Sequence, residues 1–188
     1  MLLEYPLKIN KKVFLNTLIP DALDSYYLNW LNDPVVNNFL EVRHNPPNRL
    51  DEVKDYVKNI NESSNSLLIG IYSVDNNLHI GNLKLGPVDW NNLVSNLGFV
   101  IGEKAYWGKG YASDAIKRTI EYAFTDLGLA KVTAGCYAEN KGSQLALLKA
   151  GFKNEGCLSS QWLTKNGRQD GLLFGCVNPK QKNSQTRN

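Results

Sequence analysis

Trp107-Gly108-Lys109-Gly110-Tyr111-Ala112, running into Ser113 and an amphipathic helix, joins a glycine-rich turn to the bare amides of a helix start. Glycine takes up backbone conformations closed to residues with a Cβ and lets an anion approach N–H groups closely. The helix start behind it presents unpaired donors and about half a positive elementary charge of macrodipole. On its own such a turn is a strand-to-helix connection. With a lysine inside it, the stretch reads as a phosphate cradle built from Lys109, Gly110, Tyr111, Ala112 and Ser113, with Trp107 and Gly108 shaping its mouth. No G-x-x-x-x-G-K-[ST] occurs, and Gly108-x-Gly110-x-x-Ser113 lacks the third glycine of the dinucleotide fingerprint, so nucleotide-hydrolase and Rossmann readings find no support.

Working outward, Val94 to Ile101 reads as the strand before the turn, and Ser66–Val74 and Leu78–Val88 as a hairpin about Asp75-Asn76-Asn77. Lys12–Ile19 alternates as a first strand. Pro20-Asp21 then opens a helix with Leu23, Tyr26, Tyr27, Trp30 and Leu31 at helical spacing. A short helix is expected over Val35–Leu40, a loop with Pro46-Pro47 from Glu41 to Arg49, and a helix whose face is Leu50, Val53, Val57 and Ile60. After the turn, Ala115, Ile116, Thr119, Ile120, Ala123, Phe124 and Leu127 mark a helix closed by Gly128. Lys131–Tyr137 alternates as a strand, Asn140 is a plausible N-cap, and Gly151 follows the helix it starts. Asn166-Gly167, between Gln161–Lys165 and Gln169–Val177, signals a type I′ hairpin. A meander passing into strand-helix-strand-helix-hairpin is an α/β (α+β) pattern: one mixed, predominantly antiparallel sheet with helices on both faces.

Trp107-x-x-Gly110-x-Ala112 resembles the acyl-coenzyme A loop of the GNAT N-acetyltransferase superfamily, Gln/Arg-x-x-Gly-x-Gly/Ala, with Trp107 departing at the first place. "YWGKGYA" before a helix is similar to the ribosomal-protein N-terminal acetyltransferase branch. Asn96-Leu97-Gly98-Phe99-Val100-Ile101-Gly102 resembles that superfamily's fourth strand, and Ala134 to Ser143 with Lys149-Ala150-Gly151-Phe152 its fifth strand and following helix. The resemblance runs over residues 14–177 and implies a single GNAT domain, 1–177, while the polar composition of 178–188 reads as a disordered tail. It implies fourth and fifth strands that splay apart, with acetyl-CoA as cosubstrate in the V. Backbone of Phe99, Val100 and Ile101 would meet the pantetheine, a strand N–H near Val100 would face the oxyanion, Asn140 would touch the cofactor arm, and Ser143 would lie near the sulfur. Asn140 as a plain helix cap and Ser143 as an ordinary first-turn serine are compatible with those roles.

Acetyl transfer to an amine requires a held thioester, a stabilised oxyanion, a deprotonated ammonium and a released thiolate. The resemblance places the superfamily's frequent tyrosine acid at Leu147 and its fourth-strand glutamate at Asn96, neither of which does that chemistry directly. An alkyl thiol titrates near ~8.5 and leaves tolerably without an acid, with Ser143 or water to protonate it. The candidate catalytic residues are therefore Ser143, Glu103 as the substitute base, and Asn96 through a water relay; His79, Glu41 and His44 are weaker candidates. Cys136 alternates with Val132 and Ala134 as a core residue, and no histidine in sequence marks it as a nucleophile. No G-x-S-x-G is present.

A length of 188 residues buries about two-thirds or more of the unfolded chain's surface as one domain. The net charge of +3 is scattered and no basic run occurs, which gives no footing for nucleic acid. Cys136, Cys157 and Cys176 fit neither a disulfide framework nor a metal site, so no metal is expected and a reducing, cytoplasmic setting is. No apolar run approaches the ~18 residues of a membrane span. The expected partners are a coenzyme A thioester and an amine acceptor, with no membrane and with a homodimer left open. Arg43, His44 and Arg49 read first as an ordinary solvated loop, and alternatively as a modest cationic group that would suit an amino-sugar nucleotide, while protein N-termini and small amines stay open. A catalytically silent acyl-CoA binding module is the rival reading.

Overall fold

The computed structural model describes residues 1–3, 6–8 and 12–181. Eight strands, β1 (Leu7–Lys8), β2 (Val13–Thr17), β3 (Leu67–Ser73), β4 (His79–Asp89), β5 (Val94–Ile101), β6 (Lys131–Tyr137), β7 (Lys153–Thr164) and β8 (Gly167–Val177), form one sheet in the order β1-β2-β3-β4-β5-β6-β8-β7. Every pairing is antiparallel except β5 with β6. Four helices cover it: α1 (Ser25–Asn32), α2 (Leu50–Glu62), α3 (Tyr111–Thr125) and α4 (Lys141–Lys149).

β3 is buried on both faces of the sheet, which is why it reads Leu-Leu-Ile-Gly-Ile instead of alternating. On one face α1 and α2 bury Tyr27, Trp30, Val53 and Val57 against Leu18 and Leu68. On the other, α3 and α4 bury Ala115, Ile116, Ile120, Ala123 and Leu147 against Leu83, Leu85, Leu97, Val132 and Ala134. Each fully buried Leu or Ile contributes about 1.5–3 kcal/mol of transfer free energy, so these two clusters hold the helices to the sheet.

The functional consequence lies where β5 meets β6. They pair at Val94↔Lys131, Ser95↔Val132 and Asn96↔Thr133, and there the ladder ends, although β5 runs to Ile101 and β6 to Tyr137. Beyond that point each strand is held from its outer side. β5 stays on β4 as far as Ile101↔Gly81, and β6 stays on β8 as far as Tyr137↔Gly171. The two halves of the sheet therefore part, as expected of the fourth and fifth strands.

Several boundaries differ from the sequence reading, each for a local reason. Pro20–Ala22 is only a 3-10 turn, and α1 starts after Asp24, whose carboxylate caps the Tyr26 N–H at 2.9 Å. Val35–Leu40 is a run of turns, not a helix: the Asn37 N–H bonds Asp33 O (2.9 Å) as in a first helical turn, but the Leu40 N–H bonds Asn37 O (2.8 Å), so the ladder closes into a tight turn instead of continuing. α3 starts at Tyr111, ahead of Ser113, because Gly110 at φ 88° is its N-cap. β7 begins at Lys153, well before Gln161. Its turn is not type I′: Thr164 pairs with Gly167, and of Asn166 and Gly167 only the glycine has positive φ (102°), as in a type I turn closed by a glycine bulge. Of the polar tail expected at 178–188, residues 182–188 lie outside the described residues. Asn178 is buried, and its Nδ2 donates to Leu129 O at 2.9 Å.

Candidate active site

The glycine turn closes the wide end of the V. Gly108 (φ 71°) and Gly110 (φ 88°) hold left-handed conformations, and a Cβ on either would meet no protein atom within 4 Å. These glycines therefore face open space, and their conformation sets the direction of α3. The first intrahelical bond runs from the Asp114 N–H to Gly110 O at 3.1 Å. The helix cannot itself satisfy the amides of Tyr111, Ala112 and Ser113. Below them, Trp107 Nε1 donates to Ile101 O at 2.7 Å, tying the turn to the end of β5. The Tyr106 and Tyr111 rings meet edge to face at 4.9 Å.

A cleft of about 590 Å³ runs from this turn past the end of β5 to the segment that follows β6 and the first turns of α4. Phe99, Val100, Ile101, Trp107, Gly108, Gly110, Tyr111, Ala112, Ser113, Asn140 and Ser143 all line it. Lys109 is exposed between the two glycines and lies outside the lining. One expectation about β5 needs correcting. Ser95 O accepts from Thr133 on the β6 side and Ile101 O from Trp107, whereas the Gly102 N–H turns to Ile80 O on the β4 side (2.9 Å). Backbone groups alternate along a strand; the last rung takes the Leu97 N–H and Trp107 takes Ile101 O, so the Phe99 N–H and C=O and the Ile101 N–H are left facing the gap. Val100 turns its own toward β4, so the N–H aimed at the cleft comes from its neighbours.

On the opposite wall, Asn140 Oδ1 accepts the Ser143 N–H at 3.0 Å, capping α4 and fixing the first turn against the cleft. Leu147 is fully buried in the core and does not line the cleft, so the absent tyrosine is replaced by packing. Neither expected substitute base lines it either. Glu103 caps the 3-10 turn Lys104–Tyr106, with its Oε1 3.5 Å from the Ala105 N–H. Asn96 is exposed at the apex of the V, its Nδ2 3.3 Å from Thr133 Oγ1. The carboxylate that does line the cleft is Glu139, passed over in sequence. Its Oε2 accepts from Gln169 Nε2 at 2.6 Å, a partner thirty residues away that no local pattern announces.

The segment carrying Glu41 and Arg43 folds against the end of β6. Tyr137 OH donates to Glu41 Oε1 at 2.9 Å, and burial, followed by that carboxylate, pushes the phenol above its usual range. Trp162 stacks on Tyr137 with ring centroids 4.2 Å apart, and the Arg43 guanidinium lies 5.1 Å from the Tyr137 ring. Arg43 spends its donors on Leu40 O (2.8 Å) and Leu163 O (3.2 Å), while Arg49 pairs with Glu52 at 3.4 Å. Arg43, His44 and Arg49 thus form no single cationic group. His79 sits among Tyr27, Trp30 and Tyr72, its Nε2 2.8 Å from Asn82 Oδ1, and burial pulls its pKa down. The buried Cys136 thiol is pushed up to about 11, which leaves it protonated and unreactive at neutral pH. Among the described residues no cluster of metal-ligating side chains occurs, and no helix is long and apolar enough to cross a membrane.

A splayed parallel pair, with a glycine turn and a helix start at its wide end, is the architecture of an acyl-CoA-dependent N-acyltransferase. A sequence profile described as an acetyltransferase (GNAT) domain matches residues 12–153, and this chain belongs to that family. The chain is 27% identical to the uncharacterized N-acetyltransferase p20 of Bacillus licheniformis over 160 residues, 84% of this chain and 86% of that protein. It is 30% identical over 111 residues to the probable N-acetyltransferase YjcK of Bacillus subtilis, covering 58% of this chain and 61% of that one. The fold superposes on spermidine N-acetyltransferase from Vibrio cholerae, solved with CoA and spermine, with a TM-score of 0.80 at 21% identity over 93% of this chain and 100% of that one. It also superposes on the microcin C7 self-immunity acetyltransferase MccE, solved with acetyl-CoA and AMP (TM-score 0.74, 18% identity, 90% and 94% covered). The protein is an acetyl-CoA-dependent acetyltransferase.

Proposed function

We propose that acetyl-CoA and a primary amine occupy the cleft together and that the amine attacks the thioester directly. The observation that carries this is the early end of the β5–β6 ladder, which leaves strand amides facing a cleft floored by the glycine turn. The site fits the cosubstrate: its diphosphate needs donors that can be approached closely, and the Tyr111–Ser113 amides supply them beside glycines with open space above. The Phe99 and Ile101 amides pair with the pantetheine arm and stabilise charge on the thioester oxygen. Ser143 lies on the wall nearest the departing sulfur and gives it a proton. Direct transfer is favoured over an acyl-cysteine route because Cys136 is buried and protonated.

The acceptor is an amine presented from the side of residues 35–44. An amino-sugar nucleotide finds no phosphate site in Arg43, whose guanidinium is already engaged. Small amines and protein N-termini fit the open, mixed wall, and Trp107 with Ser143 supports the ribosomal-protein branch at the level of motif. A silent acyl-CoA binder is the competing reading, motivated by Asn96 and Leu147 at places that carry Glu and Tyr elsewhere in the family. Thiol release followed with DTNB, with mass detection of an acetyl gain across spermine, spermidine, N-terminal peptides and amino-sugar nucleotides, separates the two. Turnover on one class supports the transferase, and acetyl-CoA binding without turnover on any supports the silent binder.

A further inference from the structure

Acetyl transfer at neutral pH starts from an ammonium, and its proton needs a carboxylate or imidazole within reach. The candidates outside the cleft are accounted for. Glu103 caps its own turn, Asn96 carries no basic atom, His79 is enclosed by three aromatic rings, and Glu41 is bound to Tyr137. Among the cleft-lining residues only Glu139 is acidic.

Its placement is built. Glu139 lies in the turn two residues past the end of β6 at Tyr137, where the ladder to β8 stops and the Ala138 N–H bonds Asp170 O at 3.0 Å. Gln169 on β8 holds Oε2 at 2.6 Å, and Gln169 Oε1 is buried with no partner. The carboxylate alone thus fixes that amide: flipped, its oxygen would face Oε2 and a buried NH₂ would go unpaired. One carboxylate oxygen is anchored, and Glu139, exposed, lines the cleft. The neighbouring charges come from several elements. Lys141 on α4 bonds Ala138 O (2.9 Å), Asp170 on β8 bonds the Ser160 N–H (2.8 Å), and Glu41 and Arg43 close on Tyr137.

We propose that Glu139 is the catalytic carboxylate that takes the acceptor's proton, with Gln169 as its positioning residue; this rests on the acetyl-transfer reading above. One ammonium proton passes to Glu139 and on to water. The freed nitrogen lone pair forms the N–C bond and the C–S bond breaks, its electron pair leaving on sulfur. Of the two remaining protons one reaches the sulfur and one stays on the amide nitrogen.

The test uses the full chain with whichever panel amine the wild type acetylates fastest. Glu139→Gln is expected to lower kcat/KM by about 10²–10⁴ at pH 7 while leaving acetyl-CoA affinity unchanged. The loss shrinks as pH rises toward the amine's own pKa, since free amine then supplies itself. Gln169→Leu lowers kcat by about tenfold with KM for the amine little changed, and Glu139→Asp recovers part of the rate. A Glu139→Gln enzyme within twofold of wild type, or a loss equal at every pH, overturns the assignment. Absence of wild-type turnover on every amine instead overturns the acetyl-transfer reading, and this assignment with it.

Discussion

Replacing Gly110 separates the fold from the cofactor site, because the structure sets a different cost on each. At φ 88° a Cβ is strained against its own backbone, about 1–2 kcal/mol, but it meets no other protein atom within 4 Å. Gly110→Ala should therefore lower stability by about 1–2 kcal/mol, or roughly 2–8 °C in Tm for a chain of this size. That open space, beside the Tyr111–Ser113 amides, is where the diphosphate is proposed to sit. Hydrogen bonds to a charged group are worth about 1.5–3 kcal/mol each, so losing two of them to the diphosphate costs about 3–6 kcal/mol. That is a fall of at least 100-fold in acetyl-CoA affinity. Gly110→Glu adds like-charge repulsion and should abolish binding while the protein still melts cooperatively. Exposed Lys109, by contrast, should lose only a few-fold as Lys109→Ala. Thermal melts and calorimetric titration with acetyl-CoA read the two costs separately. Affinity for Gly110→Glu within threefold of wild type, in a folded protein, would refute the placement of the diphosphate.

Two further outcomes follow from titrating groups. With the Cys136 thiol pushed up to about 11, iodoacetamide at pH 8 should modify exposed Cys157 and leave Cys136 intact, and Cys136→Ser should retain acetyltransferase activity; mapping the label by mass spectrometry checks the first, and loss of activity would revive a covalent route. Burial lowers the His79 pKa below the 6.5 of a free imidazole, so the unfolded chain binds the proton that the folded chain refuses. Stability is then full above pH 6.5 and declines as pH falls through that value toward the folded pKa, and His79→Gln should flatten this slope in urea melts across that window.

The glycine turn was legible in sequence because glycine is the residue that crosses to positive φ, and Gly108 and Gly110 do so there. The strands about it were legible because apolar runs and turn residues mark them. Val35–Leu40 failed because its apolar spacing mimics a helix while the Leu40 N–H turns to Asn37 O and ends the ladder after one turn. The hairpin's turn type failed because Asn-Gly is compatible with two turn geometries, and register between β7 and β8 chooses between them. His79's environment was hidden by the irregularity in the β3–β4 ladder between Ile71 and Tyr72, which breaks the alternation. Glu139 lies inside the Ala134–Ser143 stretch, yet only the folded chain shows that it lines the cleft with Gln169 as its partner.

The central claim, that strands parting after Asn96 and Thr133 receive acetyl-CoA above the glycine turn, is tested most directly by a crystal structure of the complex. The account predicts the diphosphate on the amides of residues 111–113 and the pantetheine between β5 and β6, hydrogen-bonded to Phe99 or Ile101. Acetyl-CoA seated elsewhere on the protein, or a turn whose amides carry no phosphate in a saturated crystal, would contradict it.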